Sequence, residues 1–253
     1  MKNVLCVLLL LLCIEVQAKA VTFNSGKITL RGVYLEPTKL SGPAVLLLHD
    51  CGRSASAAQL NAERLTRMST LLQELGFGVL MLDTKPRAQG VSCAEPQRRP
   101  NVGLRANDAQ IAIAWLKARS EVDASKVAVM GWSLGASTAL SLLNREEPGV
   151  RSAVVFYPDC RLFLAQASYR VGAPTLLLVG EDDQRSSAEA CRQLAKKTGQ
   201  DLFHQVTYPD VEHDFDAIQT ALRASSPAHK AGPNSIAAQD AWRRTFKWLS
   251  RWF

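Results

Sequence analysis

Gly131-Trp132-Ser133-Leu134-Gly135 is the stretch of this chain best equipped for chemistry, one hydroxyl framed by two glycines. Residues 127–130 before it are uniformly apolar and read as a buried strand, and the Ala/Leu-rich run to Leu143 reads as a helix. G-x-S-x-G at a strand-to-helix turn is a nucleophile elbow, which lifts the serine hydroxyl above the sheet edge. A Cβ at Gly131 or Gly135 would collide with the neighbouring backbone of so tight a turn. The helix points its first N–H groups at the site, where they favour negative charge on an acyl oxygen. The plainer alternative is a strand-helix turn that merely uses Gly and Ser. The flanking elements give the pentapeptide its weight.

A serine hydroxyl is a weak nucleophile at neutral pH and needs a base within hydrogen-bond reach. The chain has four histidines. His49 ends a buried strand and reads as structural, His204 lies inside a strand, and His229 sits in a loop rich in Ser, Pro and Gly. His213, within YPDVEHDFD, follows a strand end and comes after the serine in chain order, as an elbow base should. Its plainer reading is a surface histidine flanked by acids. A carboxylate between the two would hold the imidazole tautomer. Glu181, Asp182 and Asp183 all follow a strand, and periodicity does not choose among them.

The elements that must position these groups alternate. Residues 21–35 read as one or two edge strands. Residues 44–48 form an uninterrupted apolar run typical of a central parallel strand. A helical pattern at 57–75 is followed by a strand at 77–82, an irregular Pro- and Gly-rich loop at 84–103, and a helix at 105–119. After the elbow come strands at 150–157 and 174–179, a helix at 187–197, a strand at 202–208, and a last helix beyond the loop at 225–235. Such alternation predicts an α/β domain with a mostly parallel, doubly wound sheet. Ligands of such sheets bind beyond the carboxyl ends of the strands, where Ser133 lies.

The first 18 residues carry Lys2, an apolar core and a small-residue cleavage site, the pattern of a secretory signal peptide. Residues 19–253 then form one domain, and no apolar stretch is long enough for a membrane span. The net charge of +7 is scattered, without a Lys/Arg block or interleaved aromatics, which argues against nucleic acid as a partner. Arg87, Arg98 and Arg99 lie in the irregular loop, where they suit either acidic substrates or plain solvation. Beyond the leader four cysteines remain, Cys51, Cys93, Cys160 and Cys191, an even number that suggests two disulfides in an exported chain. No C-x-x-C pair is present.

LLLHDCG, GWSLGAS, FYPDC, the G-x-x-D step from Gly180 to Asp183, and YPDVEHDF together resemble the dienelactone hydrolase family, particularly its exported bacterial members. The match runs in order over residues 44–220. The resemblance implies an α/β-hydrolase fold without a lid domain. It implies a Ser133, Asp183, His213 triad, the G-x-x-D register selecting Asp183. It also implies an oxyanion hole from the backbone N–H groups of Cys51 and Leu134. In such folds the strands preceding Cys51 and Cys93 are neighbours, as are those preceding Cys160 and Cys191, so Cys51–Cys93 and Cys160–Cys191 are the expected bridges. The enzymes that name the family carry Cys at the nucleophile. Ser133 therefore leans the expectation towards general ester hydrolysis. Asp50 stands where many relatives have Gly or Glu.

The expectation is a periplasmic or secreted serine hydrolase acting on small carboxylic esters or lactones. It needs no metal or organic cofactor and is a monomer or small homo-oligomer. Two rivals remain: a small peptidase of prolyl-oligopeptidase type, and a non-catalytic binding protein that keeps the fold.

Overall fold

A single eight-stranded sheet carries the structure, a computed structural model that describes residues 18–51, 55–83, 100–199, 201–217 and 232–253. The strands are β1 (Lys19–Ser25), β2 (Ile28–Leu35), β3 (Gly42–Leu48), β4 (Gly78–Asp83), β5 (Val122–Trp132), β6 (Ser152–Phe156), β7 (Thr175–Gly180) and β8 (Phe203–Tyr208). Their order across the sheet is β1-β2-β4-β3-β5-β6-β7-β8. β1 and β2 form an antiparallel hairpin, β2 runs antiparallel to β4, and all later pairings are parallel.

Burial follows that division. β2 alternates exposed and buried residues along most of its length, the period of a strand with one wet face. β6 and β7 are buried at every position, as parallel strands covered on both faces must be.

The helices are α1 (Ala55–Glu74), α2 (Val102–Lys117), α3 (Leu134–Leu143), α4 (Arg161–Leu164), α5 (Ala188–Thr198) and α6 (Pro233–Trp252). From β3 the chain steps outward to β4 through α1, then back across β3 to β5 through α2. Right-handed crossovers in opposite directions place α1 and α2 on opposite faces. α3 and α5 continue on the α2 side. α6 returns to the α1 side, where its Trp242 packs against Trp132 and Arg64 of α1 lies over the same indole.

Several boundaries differ from the sequence expectation, the elbow strand for one beginning at Val122 rather than 127, and two have a local cause. α2 begins at Val102, because Asn101 caps it by accepting the Leu104 N–H at 3.0 Å. α6 begins at Pro233, inside the stretch expected to be loop, since proline suits a first helical turn. The signal-peptide segment 1–17, the irregular loop 84–99 with Arg87, Cys93, Arg98 and Arg99, and His229 lie outside the described residues.

Candidate active site

Ser133 sits at φ 49°, ψ −111°, a conformation that costs a non-glycine residue on the order of 1–3 kcal/mol. The surroundings hold it there. Its N–H donates to Phe156 O on β6 at 2.9 Å, and its own carbonyl accepts the Ser137 N–H at 2.9 Å and the Ser137 hydroxyl at 3.2 Å. The elbow closes only because Gly135 has no side chain: a Cβ there would stand 2.0 Å from Leu48 O at the end of β3. Although Ser133 occupies the N-cap of α3, its hydroxyl caps nothing, so it is left for other work.

His213 reaches that hydroxyl. Its Nδ1–H donates to Asp183 Oδ2 at 2.6 Å, which leaves the Nε2 lone pair facing Ser133 Oγ at 3.1 Å. Asp183 is buried, and its second oxygen accepts the N–H groups of Arg185 and Ser186, both at 2.8 Å. Those bonds fix the direction of the carboxylate. Its neighbours are employed elsewhere: Asp182 is exposed, and Glu181 pairs with Arg192 at 2.9 Å. The Asp183 and His213 loops touch through backbone, Asp182 N–H donating to Val211 O at 3.0 Å. A Cβ on Gly180 would stand 2.1 Å from that same carbonyl, which explains the glycine of the G-x-x-D step.

The Cys51 and Leu134 N–H groups converge as well. Both point at Asp50 Oδ1, at 2.6 and 3.4 Å. His49, at the end of β3, donates from Nδ1 to the Asp50 carbonyl, and burial followed by the nearby Arg105 lowers its pKa to about 4. It is a structural, neutral histidine. His204 packs on Trp248 with ring centroids 5.1 Å apart, far from this chemistry in role.

Sequence reasoning missed the layer behind His213. Asp216 is fully buried and accepts Trp132 Nε1–H at 2.8 Å and the Tyr157 hydroxyl at 2.6 Å. Arg64, also buried, forms ion pairs with Asp216 and Asp214, each at 3.3 Å, and Arg185 pairs with Asp214. Burial raises the Asp216 pKa against the pull of Arg64. Burial also works against the Asp214 carboxylate, but Arg64, His213 and Arg185 outweigh it and lower its pKa. The alternation in His213-Asp214-Phe215-Asp216 was the available signal, one acid in contact with Arg64 and Arg185 and the next turned into the core. Among the described residues no group of three or more His, Cys, Asp and Glu could hold a metal ion.

The bridge Cys160–Cys191 is present, with Cα atoms 5.1 Å apart, joining the segment after β6 to α5. Cys51 takes part in a disulfide, and its expected partner Cys93 lies outside the described residues.

A mostly parallel sheet, helices on both faces and an elbow serine beyond a central strand define the α/β-hydrolase fold. The chain belongs to the dienelactone hydrolase family, whose model matches residues 30–253. Among curated proteins it is 31% identical over 193 residues to an uncharacterized protein of Mycobacterium tuberculosis, covering 69% of this chain and 64% of that one, so the chain spans less than two thirds of the relative's length. Among solved structures it resembles a dienelactone hydrolase-like promiscuous phosphotriesterase from metagenomic libraries, at 22% identity and TM-score 0.68 over 94% of this chain and 98% of that one. It also resembles esterase 2 of Thermogutta terrifontis, at 16% identity and TM-score 0.66 over 92% of each chain. A putative dienelactone hydrolase of Klebsiella pneumoniae is similar at 17% identity and TM-score 0.63, over 93% of this chain and 98% of that one. At such identities the solved structures speak for the fold.

Proposed function

We propose that this protein is a serine hydrolase that cleaves small carboxylic esters or lactones through an acyl-enzyme. The observation that carries the reading is the unbroken chain from Asp183 through His213 to Ser133, at 2.6 and 3.1 Å, ending on a hydroxyl in a strained turn. His213 Nε2 takes the hydroxyl proton as Ser133 Oγ attacks the acyl carbon. The imidazolium so formed is stabilised by Asp183, which stays ionised. The Cys51 and Leu134 N–H groups receive the developing oxyanion. His213 then protonates the leaving alcohol, and the same imidazole activates water to release the acid.

The remaining expectations belong to the same proposal. Residues 1–18 are a signal peptide, 19–253 are one catalytic domain, and the protein is exported as a monomer or small homo-oligomer. The Cys160–Cys191 bridge suits an oxidising compartment. Among the described residues no helix is long and apolar enough to cross a membrane.

A fluorophosphonate probe and a panel of p-nitrophenyl esters and lactones test the reading. Labelling at Ser133 with turnover of at least one ester class supports it. No labelling and no turnover would leave a binding protein on a hydrolase fold. Esterase 2 of Thermogutta terrifontis has been captured phosphorylated by paraoxon, and paraoxon is therefore a second useful probe of Ser133 here.

A further inference from the structure

The two N–H groups assigned to the oxyanion are already engaged. Cys51 N lies 2.6 Å and Leu134 N 3.4 Å from one and the same oxygen, Asp50 Oδ1. One donor comes from the turn after β3, the other from the first residue of α3. A site shaped for a negatively charged oxygen binds a carboxylate oxygen well, because the bonds are charge-assisted and the N-terminus of α3 favours an anion. Asp50 is 7% exposed, so water competes little for it.

We propose that Asp50 is a resident anion of the oxyanion hole, a carboxylate that must leave before an acyl oxygen can enter, and that the buried guanidinium of Arg105 receives it. The inference rests on the hydrolase reading above.

The need to leave follows from charge. A carboxylate and an oxyanion side by side repel, and the repulsion is strong where water is largely excluded. Both cannot be held by the same two N–H groups. The destination follows from donor accounting. Arg105 rises from α2 with 3% exposure, and its Nη2 donates to His49 O, the carbonyl one residue before Asp50, at 3.0 Å. Its Nε–H is buried and finds no acceptor among the described residues. A buried charged donor left unspent is costly. Asp50 is also the carboxylate that most strongly supports the charge of Arg105, whose pKa burial nonetheless lowers to about 10. One side chain thus has two positions: on the oxyanion donors, where Ser133 is held back, or on Arg105, where the hole is open. The closed position lowers reactivity by the fraction of time the hole is filled. Substrates whose binding energy moves Asp50 across would be selected over small neutral esters.

The experiment uses the secreted, disulfide-intact protein and a neutral fluorophosphonate, reading the second-order rate of Ser133 labelling together with kcat and KM for p-nitrophenyl acetate. Asp50→Ala is expected to label tenfold or more faster than wild type, and Asp50→Asn, which keeps the shape without the charge, severalfold faster. Arg105→Gln is expected to slow labelling threefold or more in the wild-type background and to have no effect in the Asp50→Ala background. A merely structural role for Arg105 would slow both. Labelling of folded Asp50→Ala at or below the wild-type rate would overturn the proposal while leaving the hydrolase reading intact. If that variant fails to fold, Asp50→Asn decides by the same criterion. Absence of labelling in wild type and every variant would overturn the hydrolase reading and this inference with it.

Discussion

Tyr157 lies against His213, with ring centroids 4.3 Å apart and planes inclined by 50°. The tyrosine reaches this position from φ 41°, held by its N–H to Leu178 O at 2.7 Å and by the Ser186 hydroxyl on its carbonyl at 2.7 Å. One residue thereby joins the imidazole to the Asp183 loop and, through its hydroxyl, to buried Asp216.

Tyr157→Phe keeps the ring against His213 and removes only the hydroxyl. Asp216 then loses one of its hydrogen bonds inside the core. The expected cost is about 1–3 kcal/mol of stability, read from denaturant unfolding, with kcat reduced by less than about tenfold. A larger fall in kcat at unchanged stability would mean that the hydroxyl itself takes part in the reaction.

Asp183→Asn and Asp182→Asn separate the two neighbouring acids. Asp183 accepts the imidazole N–H and Asp182 is exposed, so only the first exchange disturbs the tautomer. Asp183→Asn is expected to lower kcat on an accepted ester by about 10⁴. Asp182→Asn is expected to stay within about threefold of wild type. The reverse order would move the third member of the site by one residue.

His49 makes stability depend on pH. Its pKa falls from the ordinary 6.5 to about 4 in the folded protein, chiefly through burial and then through Arg105. Between those values the unfolded chain binds a proton that the folded chain does not, so stability rises with pH across that window. The contribution is whole above pH 6.5 and lost as pH drops towards 4, at most about 3 kcal/mol and less because part of the ring meets solvent. Urea midpoints at pH 7 and pH 4.5 check the direction, and His49→Gln should flatten the difference.

Cys160→Ser paired with Cys191→Ser should cost about 3–4 kcal/mol in the chain-entropy estimate for a bridge 31 residues apart. The bridge anchors the segment after β6, from which Arg161 donates to Arg185 O at 2.8 Å, against the loop that carries Asp183. Loss of activity should therefore precede global unfolding on heating the reduced protein. Parallel loss of both would show that the bridge serves stability alone.

Much of this arrangement is legible in the residues. The buried strands announced themselves because both faces of β3, β6 and β7 are covered, which leaves uninterrupted apolar runs. Ser133 and His213 were legible from element ends and chain order. Asp183 was not separable from Asp182 by periodicity, because the difference lies in two backbone N–H groups donated from Arg185 and Ser186. Arg64 and Asp216 were invisible for another reason: they lie 152 positions apart and meet only when α1 folds against the segment after β8. Asp50 Oδ1 on the Cys51 and Leu134 N–H groups depends on a side-chain direction, which no spacing encodes.

The measurement that bears most directly on the account is kcat for p-nitrophenyl acetate in Ser133→Ala, with thermal melting recorded alongside. The hydroxyl caps no helix, so the fold should be retained. A fall in kcat of on the order of 10⁴ to 10⁶ at unchanged melting is predicted. Retention of most of the activity would contradict the assignment of Ser133 as nucleophile.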